Sequence, residues 1–131
     1  MESLTFDTTF LIDFQRERKQ RKHGRAHVFL ETHRDKGAYL SVIAYGEYAE
    51  GFNSADDPAF VSVVESFEIV PVSRRIAARY GQTARALRTD GRLIGANDLW
   101  IAATALECGL PIVTANADPF RRIPGLVILQ Y

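Results

Sequence analysis

The stretch GANDLWIAATALECGLPIVTAN, residues 95–116, sets one acid, Asp98, ahead of an almost wholly apolar run that Thr114 and Asn116 close. Its spacing predicts a helix over about 97–108, ended by Gly109, and then a buried strand, PIVTA, over 111–115. A helix that is apolar nearly all round must be covered, and a strand following it within a few residues offers the cover. Outward from this unit the same alternation repeats. LTFD (4–7) reads as a buried strand, and Thr8 and Thr9 are candidate caps for a helix carrying Phe10, Leu11 and Phe14. A helix over about 26–33, a strand over 38–43 and a helix over 44–52 follow. Pro58 opens another helix behind an acidic cap, FEIVPV (67–72) is strand-like, Ser73 caps a helix that ends at Gly91, and LVILQ (126–130) is the last strand. Strands alternating with helices predict a three-layer α/β/α sandwich on a mainly parallel sheet.

Composition narrows the function classes. The 131 residues fit one domain, 1–131, with 47% apolar and 24% charged residues, as in ordinary soluble chains. Sixteen basic and sixteen acidic residues cancel, so no global field selects a polyanion, although a local basic patch stays possible. Cys108 is the only cysteine and is expected in the core; with no disulfide to form, a reducing, cytoplasmic setting is expected. No run approaches the ~20 apolar residues of a membrane span.

In parallel α/β sheets, sites form beyond the carboxyl ends of the strands. Asp7 ends the first strand, Glu47 lies a turn into the helix after the second, Asp98 opens the apolar helix, and Asp118 follows the PIVTA strand with Asn116 between. Each has a plain alternative as a cap, a solvated helix acid or a turn residue. Together they could share one sheet edge. Carboxylates ~5 Å apart repel by roughly 3 kcal/mol at an effective dielectric near 20, so such a cluster must take up protons, spread apart or hold a cation. Oxygen donors without Cys or paired His favour Mg²⁺ or Mn²⁺. A cation so held suits phosphodiester hydrolysis.

The segments LTFDTTFLIDFQR, LSVIAYGEYAEG, GRLIGANDLWIAATALECGLPIVTAN and FRRIPGLVI resemble the PIN-domain ribonucleases, specifically the VapC toxins of bacterial toxin–antitoxin pairs. The resemblance spans nearly the whole chain in order. It implies Mg²⁺- or Mn²⁺-dependent cleavage of RNA, with tRNA the favoured substrate, a VapB-like antitoxin, and a toxin homodimer. By position, Asp7, Glu47 and Asp98 match the family's acids and Thr114 its site hydroxyl. Asp7 and Asp98 are expected to hold the metal and Glu47 to position water. Thr9 stands where the family often has Asn. In TANADPF, Pro119 occupies the usual place of the last acid, so Asp118 or Asn116 is expected as the fourth ligand.

The run RERKQRKHGR (16–25) gives Arg16, Arg18, Lys19, Arg21 and Lys22 as candidates for RNA phosphate contact, or a solvated helix end. His23, His27 and His33 read as surface residues, and Tyr80 and Trp100 as packing residues. A non-catalytic scaffold on the same fold is the rival reading, and a phosphorylated α/β domain a weaker one.

Overall fold

A computed structural model describes residues 2–131. Five strands, β1 (Ser3–Phe6), β2 (Gly37–Ser41), β3 (Glu68–Val70), β4 (Ile112–Thr114) and β5 (Ile128–Gln130), form one sheet in the order β3-β2-β1-β4-β5. Every neighbouring pair is parallel. Six helices flank it: α1 (Thr8–Lys19), α2 (Arg25–Thr32), α3 (Val42–Ala49), α4 (Pro58–Val64), α5 (Arg74–Thr89) and α6 (Ala96–Cys108), with a short 3₁₀ turn at Phe120–Arg122. The expected elements are all present. Their ends move by a few residues because side-chain caps terminate strands that apolar pattern alone would prolong. Ser41 accepts from the Ile43 amide, so α3 starts at Val42, inside the expected strand.

β1 lies between β2 and β4 and is buried along both faces, as parallel sheets require. Phe6 anchors an aromatic cluster, its ring centroid 4.6 Å from that of Phe10 and 5.2 Å from that of Phe67. Thr5, alternating with it, is 1% exposed, and its hydroxyl has no hydrogen-bond partner. In α6, Ala102, Ala103 and Ala105 are fully buried, small enough to let the helix lie close against its neighbours. Gly109 ends α6 at φ 67°, a left-handed geometry that an L side chain adopts only with strain.

Three expectations are corrected. Asp7, not Thr8 or Thr9, caps α1, accepting from the Phe10 amide. Cys108 is exposed, because the last turn of α6 runs past its packing surface. His27 and His33 are half-buried and stack on Phe14 and Phe29 at 4.2 and 4.0 Å, since a ring beside an exposed aromatic edge gains more from packing than from hydration.

Candidate active site

The site begins where β1 stops. A parallel strand ending beside the starts of two helices gathers side chains from three places in the sequence: Asp7 after β1, Glu47 in α3, and Asp98 in the first turn of α6. Asp7 is 3% exposed. Its Oδ1 accepts the Thr9 hydroxyl at 2.6 Å and the Phe10 amide at 3.2 Å, while Oδ2 accepts the Thr114 hydroxyl. The cap and the site are thus one carboxylate. Thr9 Oγ1 also accepts the Ala115 amide at 3.3 Å, joining the ends of β1 and β4.

Glu47 is held from both sides. Thr8 donates to Oε1 at 2.6 Å from α1, and Asn97 Nδ2 donates to Oε2 at 3.0 Å from α6. An open recess is lined by Glu47, Gly95, Ala96, Asn97 and Asp98, which brings Asp98 to the same place. Burial pushes the Asp98 carboxyl above the ordinary aspartate range, and the neighbouring Glu47 charge adds to the rise. Burial also raises Asp7; hydrogen bonds from Thr114, Thr9 and Phe10 pull the other way, and the Asp98 charge adds to the rise. The three acids therefore sense one another in a chain, Asp7 to Asp98 to Glu47. No Lys or Arg pairs with any of them among the described residues.

These donors suit a hard divalent cation. Among the described residues no group of three or more His, Cys, Asp or Glu side chains is placed to hold a metal ion. Mg²⁺ does not need one: it keeps several waters and is commonly bound through one or two carboxylates. Asp7 and Asp98, unneutralised and with raised pKa values, fit that open arrangement.

The remaining candidates lie differently. Thr114 is fully buried on Asp7, and its Oγ1 accepts the Asn116 amide at 2.9 Å. The Asn116 side chain is exposed. Asp118 is exposed and paired with Arg121 at 2.6 Å, and no hydrogen bond joins it to Asp7 or Asp98. The basic run Arg16, Arg18, Lys19, Arg21 and Lys22 occupies the far end of α1 and the turn beyond, from nine residues past Asp7 at Arg16 to twelve at Lys19, roughly 13–18 Å of rise. Thr8 and Asn97 escaped the sequence reading as site residues. Their signal was adjacency alone: each directly follows or precedes an acid at a strand-to-helix junction.

An all-parallel sheet with carboxylates converging beyond its central strand defines a class of hydrolase-like α/β domain, and the comparisons narrow it. Residues 4–126 match the family described as PIN domain. Ribonuclease VapC1 of Haemophilus influenzae is 34% identical over 92 residues, covering 66% of this chain and 69% of that protein. The DNA-bound VapBC structure from Salmonella typhimurium superposes with TM-score 0.79 at 25% identity, covering 99% of this chain and 98% of that one. VapBC2 of Rickettsia felis, bound to a promoter DNA fragment, gives TM-score 0.82 at 24% identity with 98% of both chains covered, a likeness of fold. The chain belongs to the PIN-domain family, among the VapC ribonucleases.

Proposed function

We propose that this chain is the toxin of a toxin–antitoxin pair, a Mg²⁺- or Mn²⁺-dependent endoribonuclease that hydrolyses phosphodiester bonds of structured RNA, with tRNA the first substrate to test. The observation that carries this reading is the uncompensated chain of carboxylates, of which Asp7 and Glu47 are held by donors from more than one element and Asp98 lies beside Glu47 in the recess. Solved VapBC complexes of the same fold support a VapB-like antitoxin as partner. A homodimer is part of the proposal.

Asp7 and Asp98 would hold the cation, which supplies positive charge against the phosphate and makes water a stronger nucleophile near neutral pH. Thr114 and Thr9 fix both oxygens of Asp7, so its free lone pairs point in set directions. Glu47, gripped by Thr8 and Asn97, presents its remaining lone pairs to the attacking water and orients it in line with the phosphorus. With water as nucleophile the RNA 2′-hydroxyl takes no part, and the product carries a 5′-phosphate. Asp118 would complete the site only after leaving Arg121, and Asn116 only after turning its exposed side chain inward.

The test is cleavage of total tRNA by the purified protein with Mg²⁺ or Mn²⁺, beside EDTA and Asp98→Asn controls. Site-defined cuts leaving 5′-phosphates, lost in both controls, are expected. Cleavage that survives EDTA, or that Asp98→Asn leaves intact, would sink the mechanism. Failure to cut any tRNA or ribosomal RNA, together with no Mn²⁺ binding by calorimetry, would return the chain to the scaffold reading.

A further inference from the structure

We infer that the RNA backbone is received by an arginine rim, Arg88, Arg92 and Arg122, beside the start of α6, and not by the basic run at the end of α1; this rests on the ribonuclease reading. A cluster of carboxylates repels phosphate, so a strand can approach it only if cations stand close by. Close has a physical scale: about 8–10 Å at ordinary ionic strength, beyond which exposed charges are largely screened. The α1 run begins at Arg16, nine residues or roughly 13 Å of helix rise from Asp7, and most of it lies farther still. Arg16, its nearest member, is already paired with Asp13 at 2.9 Å.

The α5–α6 hairpin delivers cations to the other end. The short connection from Thr89 to Ala96 folds the packed helices into an antiparallel hairpin, in which Arg79 meets Glu107 at 3.3 Å and the Tyr80 ring lies 3.9 Å from that of Trp100. The last turn of α5, with Arg88, therefore lies at the same end of the hairpin as the first turn of α6, with Asp98. The connection folds back, the Arg92 amide donating to the Leu87 carbonyl at 2.7 Å. Arg122 Nη1 then reaches the Leu93 carbonyl at 3.3 Å, drawing the end of the 3₁₀ turn to the same place. All three side chains are exposed, and none has an ion-pair partner among the described residues. Asp90 is the acid within this connection, and the neighbouring Arg121–Asp118 pair is internally neutral, so cations are in excess. Guanidinium forks match phosphate oxygens in pairs, which suits a surface that must position a backbone without reading bases.

The measurement is fluorescence anisotropy of a labelled RNA hairpin in EDTA, where it stays uncut, across a KCl series. The full chain is compared as wild type, as Arg88→Ala/Arg92→Ala/Arg122→Ala, as the same three positions changed to Lys, and as Arg18→Ala/Lys19→Ala/Lys22→Ala. The rim alanine variant should bind at least about tenfold more weakly and flatten the salt slope by about 2–3 units. The lysine variant should keep most of the slope, which separates lost charge from lost fold, and the α1 variant should stay within about twofold of wild type. Equal or larger loss in the α1 variant, or unchanged binding in the rim variant, overturns the inference. Mn²⁺-dependent cleavage assayed on the same preparations separates the two readings. Cleavage with rim-independent binding removes this surface alone; rim-dependent binding without any cleavage removes the nuclease and leaves the surface. A wild type that does not bind the hairpin removes both.

Discussion

Glu47 has both carboxylate oxygens engaged by neutral donors, and the donor from α6 is the more informative. Asn97 is exposed, so its removal should barely disturb the fold. It does free Glu47 to rotate about a single remaining bond from Thr8. A hydrogen bond to a charged group contributes about 1.5–3 kcal/mol. Asn97→Ala should therefore lower kcat by about ten- to a hundredfold with the melting temperature almost unchanged. A large drop in thermal stability with kcat intact would assign Asn97 to structure instead. Thr5 makes the opposite case. Its hydroxyl is buried in β1 without a partner, so Thr5→Val should stabilise the chain by about 1 kcal/mol in urea unfolding. A lower midpoint would mean that the hydroxyl is satisfied in solution.

At the scale of elements, the clearest device is the join between α1 and α2. Gly24 begins α2 with no side-chain cap, and Glu17 of α1 supplies one, accepting the Ala26 and His27 amides at 3.0 Å each and the His27 ring at 2.7 Å. A Cβ on residue 24 would stand 2.5 Å from Glu17 Cδ, so glycine is required here by the neighbour and not by the backbone angle. Burial pulls the Glu17 carboxyl up, but the His27 amide and ring and the Ala26 amide outweigh it and hold the group below the ordinary glutamate range. Because the folded value is depressed, the stabilisation is complete above the unfolded value near 4.5 and is lost as pH falls through the folded one. Glu17→Gln should then cost about 1–2 kcal/mol at neutral pH, a gap that closes as pH falls below about 4 in matched thermal melts. Gly24→Ala should cost more in the wild-type background than beside Glu17→Ala, and additivity in that double-mutant cycle would refute the steric account.

The same scale shows what sequence could carry. The helix from 97 to 108 and its following strand were legible because apolar periodicity and Gly109 state them locally. Asp7, Glu47 and Asp98 were legible because strand ends in a parallel sheet are where acids matter. The Glu17 cap was not, since nothing near Glu17 names a helix start eight residues on. The basic run at the end of α1 stands out as a contiguous segment, whereas Arg88, Arg92 and Arg122 are scattered in sequence and only the fold draws them toward one end of the α5–α6 hairpin. Cys108 was misjudged because an apolar helix can outrun the surface it packs on.

For the whole molecule, the carboxylates are a standing strain that a cation would relieve. Millimolar Mn²⁺ should raise the melting temperature of the wild type, and Asp98→Asn should melt higher than wild type without metal yet gain little from adding it. A wild type whose melting point ignores Mn²⁺ would remove the cation from the proposed mechanism.

The strand order carries one more consequence. The central strand is made before the four others of its sheet, yet one neighbour that completes it, β4, follows far later, and the Asp7–Thr114 contact closes a span of 107 residues. A polypeptide still emerging from the ribosome holds Asp7 long before it holds Asp98 or Thr114. If the protein cuts the RNA of its own translation apparatus, the machine that builds it is safe at least until β4 has been made, because vectorial order alone withholds Asp98 and Thr114 until then.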